Sequence, residues 1–296
     1  MKETQENICR ACPRECGIDR SKTVGFCGCG KKVRLARVGM HMWEEPCLSY
    51  GNGSGTIFFS GCNLRCVFCQ NYRISHEHQG REITIEKLAE EILRLQKEGA
   101  SNINFVTPSH YTENLAMVLK MVRGRLHIPV VYNSSGYDSV EALKKLNGLI
   151  DIYLPDLKYY SPMLSKRYSG AENYFSVAAN ALKEMWRQTG YAAFDRQGHM
   201  TKGVLVRHLV LPTHTDDSMK IFSYLAECYD PAKMAVSVMS QYFPAYKASK
   251  FKELQRRITA QEYDRVVNYV VDLGFSVGFL QERSAAKEEY VPDFDY

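Results

Sequence analysis

Gly61-Cys62-Asn63-Leu64-Arg65-Cys66-Val67-Phe68-Cys69-Gln70-Asn71 decides how this chain is read. Its three cysteines follow C-x3-C-x2-C spacing directly after Ile57-Phe58-Phe59, an apolar run that reads as a buried strand. The cysteines therefore fall in the loop leaving that strand's C-terminal end. Three thiolates within eight residues can wrap one soft metal site. A closed four-thiolate cluster needs one more. A 4Fe–4S cluster held by three cysteines keeps one iron open, and an open position separates a catalytic metal site from a structural one. A zinc knuckle or a set of buried thiols is the plainer alternative.

Outward from this loop, composition narrows the class. With 296 residues, the chain has room for one large α/β domain or two smaller ones. Hydrophobic residues make up 45% and charged residues 24%, as in a soluble globular protein. The net charge of +5 hints at anionic partners without arguing for nucleic acid. Met1 to Asn7 has no apolar core, so a secretory signal is not expected. No run approaches membrane-spanning length. Ten cysteines in this context argue for metal binding in a reducing cytoplasm over disulfides, and eight of them lie in two tight groups before residue 70. Cys228, isolated in a helix-like stretch, reads as a buried apolar residue.

The first group, Cys9, Cys12, Cys16 and Cys27, follows C-x2-C-x3-C-x10-C, with Cys29 close behind. Four thiolates suit zinc, a single iron or a 4Fe–4S cluster, and spacing does not choose among them. Cys29 is an alternative ligand to Cys27. Residues 1–50 are read as this metal-binding module and its linker, 51–282 as the body and 283–296 as a tail laid over it. The basic run Lys31 to Arg37 reads first as a solvated strand or turn, and second as a docking surface for an acidic electron donor. Glu44 and Glu45 sit in the linker, where packing over the first strand explains them as well as substrate contact does.

The body alternates strands and helices. Strands are expected at 54–60, 103–107, 128–132, 150–154, 204–211, 235–239 and 276–280. Helices are expected near 85–98, 113–122, 139–146, 171–188, 217–228 and 260–273. The alternation argues for a parallel sheet with helical crossovers, either an open sheet or a partial barrel. In such folds the site lies at the strands' C-terminal ends. Those ends carry Thr107, Ser109, His110, Asn133, Ser134, Ser135, Asp156, Lys158, Ser240, Gln241 and Tyr242. Arg207 and His208 are charged or polar positions inside an apolar strand, and alternation puts them on opposite faces. His208 is the one expected to point inward.

The cysteine loop resembles the cluster motif of the radical S-adenosylmethionine superfamily. More narrowly the chain resembles activating enzymes of glycyl radical enzymes, including pyruvate formate-lyase activating enzymes, and a group among them with a cysteine-rich N-terminal extension. The matching stretches include Cys9 to Cys29, Gly55 to Ser75, Tyr132 to Tyr137, Tyr153 to Tyr159 and Val206 to Asp217. The resemblance implies an α/β fold, a partial (β/α)6 TIM-type barrel. It implies Cys62, Cys66 and Cys69 as ligands of a 4Fe–4S cluster whose open iron binds S-adenosylmethionine. Phe68 and Asn71 would flank that cofactor. Asp156-Leu157-Lys158 matches a triplet that contacts it, and Asn133-Ser134-Ser135-Gly136 stands where the family has a Thr-Asn-Gly turn. Thr107, Ser109, His110, His208 and Gln241 complete the expected cofactor-binding set. One stretch departs from the family: its second strand ends in Gly-Gly-Glu-Pro, and this chain has Thr107-Pro108-Ser109-His110 there.

The implied activity is reductive cleavage of S-adenosylmethionine and hydrogen abstraction by the resulting radical. The implied partners are a reduced flavodoxin or ferredoxin-type donor and a glycyl radical enzyme as protein substrate. Alternatives are a small-molecule or peptide substrate, or a non-catalytic iron–sulfur or zinc scaffold. A membrane is not expected as a partner, and nucleic acid is disfavoured.

Overall fold

The computed structural model describes residues 8–280 and Phe294. Ten strands form one mixed sheet: β1 (Val33–His41), β2 (Ser54–Phe59), β3 (Arg81–Ile83), β4 (Ile103–Val106), β5 (Val130–Ser134), β6 (Ile152–Pro155), β7 (Ala193–Phe194), β8 (Met200–Leu209), β9 (Ala235–Met239) and β10 (Val277–Leu280). The helices are α1 (Tyr72–Ser75), α2 (Ile85–Lys97), α3 (Thr112–Val122), α4 (Val140–Lys144), α5 (Pro162–Ser169), α6 (Tyr174–Thr189), α7 (Thr215–Cys228) and α8 (Ala260–Asp272).

From β2 the parallel order runs β2-β4-β5-β6-β8-β9-β10, the same as the order in the chain. A sheet that never reverses its winding keeps its crossovers on one side. Alternate strand residues accordingly share one core with the helices: Ile57 and Phe59, Phe105, Tyr132, Tyr153, Val206 and Val238 pack with Leu88, Leu115, Leu143, Leu182 and Phe222. The other residues of each strand form an inner face. There Val131, Ile152, Leu154, Leu205 and Ala235 make a separate apolar cluster.

What covers this inner face is the linker. Cys47 and Leu48 complete the apolar cluster, and both are buried. The linker is stitched in place by its own carbonyls. Cys47 O accepts from Met200 N at 2.9 Å, and Leu48 O accepts from Ser101 Oγ and Asn102 Nδ2 at 2.7 Å each.

The expected parallel strands all form, with ends shifted by a few residues. Three features differ. Lys31 to Arg37, expected as a solvated strand or turn, runs into a nine-residue strand, Val33–His41, antiparallel to β2 with Val33, Leu35 and Ala36 buried, so the sheet begins well before residue 51. The helical stretch expected at 171–188 is preceded by a separate helix, α5, capped by Ser161 and carrying Pro162 in its first turn. Cys228 is exposed. The tail at 283–296 and Gln281 lie outside the described residues, save Phe294, whose ring meets Phe58 edge-on at 5.6 Å.

Leu48→Ala is expected to lower stability by about 2–5 kcal/mol, the usual range for truncating a fully buried leucine. An unfolding free energy from urea titration within about 0.5 kcal/mol of wild type would show that the linker does not plug the inner face.

Candidate active site

The cysteine loop follows β2 and turns at Gly61, whose φ is +81°. A Cβ there would lie 2.4 Å from Cys29 Sγ and 2.5 Å from the Cys27 carbonyl, so only glycine fits. All three loop cysteines are free thiols. Cys66 Sγ lies 3.0 Å from Ser169 Oγ, Cys69 Sγ lies 3.1 Å from Ser75 Oγ, and Cys62 Sγ accepts from Leu64 N at 3.4 Å. Burial pushes all three thiols up, Cys69 to about 11, while Lys158 acts in the opposite direction on each. Phe68 is buried edge-on against Tyr242. The carbonyl of Asn71, half-buried at the start of α1, accepts from Ser75 Oγ at 2.9 Å.

Facing this loop across the inner face is a set of charges. Lys158 Nζ donates to Asp156 Oδ2 at 2.6 Å. Arg207 Nε donates to Asp156 Oδ1 at 2.9 Å, and its Nη2 donates to Asn133 Oδ1 at 2.7 Å. Arg207 Nη1 reaches Glu44 Oε2 at 3.3 Å and stands 4.0 Å from Glu45 Oε2. Burial works against ionisation of Asp156, yet Arg207 and Lys158 hold its carboxyl below the usual range. Burial likewise opposes the charge on Arg207, and Asp156, Glu45 and Glu44 outweigh it. Glu44 and Glu45 are pushed up by burial, with Arg207 opposing.

The turns that carry these groups are tied together by Tyr174, which the sequence reading did not single out. Its hydroxyl accepts from Lys158 N at 2.9 Å and lies 2.8 Å from Ser135 O and 2.9 Å from Asp156 O. Gly136, with φ +74°, lets the two turns close, because a Cβ there would meet Asp156 O at 2.3 Å.

Several expected residues stand elsewhere. His208 does not point inward: its Nδ1 lies 2.6 Å from Leu157 O and its Nε2 2.8 Å from Ser218 Oγ, with Phe222 edge-on, all on the helix side. Arg207 takes the inner face, because the register sets it beside Ser237 on the face of Leu205 and Leu209. His110 is enclosed behind the cysteine loop, with Nε2 at 2.8 Å from Ser60 O. Ser109 is buried toward Asp138 and Tyr132 in the helix-side core. Thr107 is half-buried in the left-handed region at φ +59° and donates its amide to Asn133 O at 2.8 Å. Gln241 is tied to the loop, its carbonyl accepting from Gln70 Nε2 at 3.0 Å. Ser135 is buried and its hydroxyl has no partner.

The N-terminal cysteines lie against the back of the loop. Cys12 is pushed up to about 12 by burial, with Cys27, Cys9 and Cys16 close enough to add to the effect. Among the described residues no three His, Cys, Asp or Glu side chains are set around a single metal ion. Among those residues no helix is long and apolar enough to cross a membrane.

A family model described as the radical SAM superfamily matches residues 56–225, a span holding the cysteine loop, Asp156, Lys158 and Arg207. The chain belongs to the radical SAM superfamily. It is 31% identical over 278 residues to an uncharacterized protein of Methanocaldococcus jannaschii, covering 90% of this chain and 75% of that one. To a pyruvate formate-lyase-activating enzyme of Clostridium pasteurianum it is 26% identical over 191 residues, covering 62% and 72%. Among solved structures it resembles methylornithine synthase, with TM-score 0.53 and 14% identity over 76% of this chain and 63% of that one. It also resembles a maturase of the [FeFe]-hydrogenase, with TM-score 0.52 and 16% identity over 76% and 50%. The chain thus spans half to two thirds of these two solved chains, and at such identities the likeness is one of fold. Radical SAM enzymes use a 4Fe–4S cluster and cleave S-adenosylmethionine to a radical. The loop's donor set fits such a cluster: three free soft thiols, each with a polar group at its sulfur and a buried ammonium nearby.

Replacing Arg207 by Met is expected to destabilise the chain by about 3–5 kcal/mol, because three carboxylates lose their shared cation. Arg207→Lys should fall between, since an ammonium cannot reproduce the fork. Denaturant midpoints equal to wild type in both variants would show that the inner-face pairing is not structural.

Burial drives His110 down to about 3 from 6.5, with Ser60 O opposing only in part. Between those values the unfolded chain binds the extra proton. The stability His110 contributes is therefore whole above pH 6.5 and is lost as pH falls toward 3. His110→Gln should flatten the acid limb of stability against pH, whose slope per site is at most about 1.4 kcal/mol per unit. An unchanged slope would place the acid sensitivity in other groups.

Proposed function

We propose that Cys62, Cys66 and Cys69 hold the 4Fe–4S cluster and that Asp156, Lys158, Asn133 and Ser135 hold S-adenosylmethionine beside it. The observation that carries this reading is the meeting of the three-thiol loop with the Lys158–Asp156 pair, 2.6 Å between charged atoms, across the inner face. When bound, the cluster supplies the electron that splits a carbon–sulfur bond of S-adenosylmethionine and leaves a 5′-deoxyadenosyl radical. This chain's residues do the rest. Ser169 sets its hydroxyl at Cys66, where donation favours the thiolate, and Ser75, whose hydroxyl donates to Asn71 O, lies beside Cys69. Lys158 and Asp156 offer a donor and an acceptor to a zwitterionic ligand. The packed loop and the covered inner face exclude water from a reactive radical.

On this reading the sheet is a partial barrel, and a flavodoxin or ferredoxin-type protein supplies the electron. Cys9, Cys12, Cys16 and Cys27 form a second site for zinc or an iron–sulfur cluster. Similarity to a pyruvate formate-lyase-activating enzyme supports a glycine in a glycyl radical enzyme as the hydrogen donor. A small-molecule or peptide substrate is the second reading. It is favoured by Glu44 and Glu45, which reach Arg207 on the inner face and are not needed by the cofactor.

The test is anaerobic. The reconstituted chain is given dithionite and S-adenosylmethionine, and 5′-deoxyadenosine is measured. Wild type should form it and Cys66→Ala should not, with circular dichroism showing that the variant still folds. Equal formation in Cys66→Ala would overturn the assignment of the loop. So would an absence of product in wild type carrying its full iron and sulfide.

A further inference from the structure

The inner face holds more polar atoms than its own contacts satisfy. Glu44 and Glu45 enter it from the linker with side chains 8% and 5% exposed. Arg207 is fully engaged by Asp156, Asn133 and Glu44. Glu45 Oε2 is left 4.0 Å from that guanidinium, with no hydrogen-bond partner. Asn104 and Ser237 are completely buried. The register puts Asn104 on the inner face opposite Thr56 and Val131, and Ser237 there opposite Arg207. Asn104 approaches Glu44 and Ser237 approaches Glu45 closely enough to influence their carboxyls. Yet both amide atoms of Asn104 and the hydroxyl of Ser237 close no hydrogen bond. Buried polar groups of this kind are rarely left open without a bound partner.

The charges give that partner a sign. Three carboxylates, Glu44, Glu45 and Asp156, face two cations, Arg207 and Lys158. With all of them ionised one negative charge is left over, and it is buried. Glu45 Oε2 and Asn104 Oδ1 are open acceptors, and the Asn104 amide nitrogen and the Ser237 hydroxyl lie beside carboxylates to which they can turn, so what the site lacks is a donor. Ammonium and guanidinium groups are donors only.

We propose that Glu44, Glu45, Asn104 and Ser237 form a substrate subsite that binds a cationic nitrogen, an ammonium or a guanidinium. The proposal deepens the small-molecule or peptide reading above and rests on it for the word substrate. The subsite selects the molecule whose hydrogen is taken and orients it by its cationic end. A neutral analogue leaves the Glu45 carboxylate without a partner and binds less well.

The test reads binding without turnover. Ligand-observed NMR titrations of the full-length, cluster-reconstituted protein use butylamine, butylguanidine and neutral 1-butanol as probes. Wild type should bind one of the two cations roughly tenfold or more tightly than the alcohol, the scale of a charge-assisted hydrogen bond. The better cation tells ammonium from guanidinium. Glu45→Gln should lose that preference. Ser237→Ala should reduce it, and it serves if Glu45→Gln does not fold. Equal binding of cation and alcohol to wild type, or a preference kept in both variants, would overturn the subsite. Displacement of the cation by S-adenosylmethionine would also overturn it, by giving these carboxylates to the cofactor. Failure of the radical reading shows separately, as no 5′-deoxyadenosine from wild type.

Discussion

The ionic chain Lys158–Asp156–Arg207–Glu44/Glu45 is the interaction on which the rest of the structure depends. Its members come from three segments: the turn after β6, strand β8 and the linker before β2. None is more than about a fifth exposed, so each charge needs its neighbours. Coulomb attraction at such depth is strong but offset by desolvation, and the geometry has to be good for the balance to hold. That requirement fixes how far the linker enters, how the β6 turn is oriented and which face Arg207 presents. The apolar cluster around Leu48 and the Tyr174 hydroxyl bridge then secure the two ends of the chain of charges.

The same logic explains why the cysteine loop needs no long-range cross-link of its own. It is clamped by polar contacts from both sides. Arg65 N donates to Ser169 O at 3.1 Å and Val67 N to Tyr168 O at 2.8 Å, which joins the loop to α5. Asn63 Nδ2 donates to Tyr137 O at 2.6 Å, which joins it to the turn after β5. The N-terminal segment closes the back, with Arg14 Nε on Asn63 O at 2.8 Å and Arg65 Nη2 on Phe26 O at 2.7 Å. Three thiols are thereby held at the end of a fully buried strand, and the reactive side of the loop faces the charged inner face.

Much of this was legible in the sequence, for identifiable reasons. Buried parallel strands read as continuous apolar runs, and Ile57-Phe58-Phe59 was found on that signal, while Ile103 to Val106 and Ala235 to Met239 are such runs broken once, by Asn104 and Ser237. The C-x3-C-x2-C loop stood out because its spacing is dense and follows a strand. What failed was orientation. Period-two alternation says that Arg207 and His208 face opposite ways, but not which way, and the sign is set by packing against α7 that no local pattern reveals. The burial of β1 was hidden because Lys31, Lys32, Arg34 and Arg37 gave a solvated appearance to a segment whose Val33, Leu35 and Ala36 are buried. Helix α5 was legible after all: Ser161-Pro162 is an N-cap and first-turn signature that went unused. Glu44 and Glu45 were seen but undecided, since a linker's path across a sheet is a tertiary fact.

The turn after β4 joins the one stretch that departs from the activating enzymes, Thr107-Pro108-Ser109-His110 in place of Gly-Gly-Glu-Pro, to the N-terminal cysteines. In this chain the replacement residues serve that cysteine module. Arg20 Nη1 donates to His110 O at 2.6 Å, and its guanidinium lies 5.1 Å from the Tyr111 ring centre. His110 Nε2 meets Ser60 O, the carbonyl that also accepts from Cys29 Sγ at 3.2 Å. The side chains of His110 and Tyr111 thus build the wall against which Cys27 to Cys29 pack. Ahead of them stands Thr107, a β-branched residue in a left-handed conformation, a strained arrangement that persists only where its surroundings impose it. The module and the altered turn are therefore one structural device.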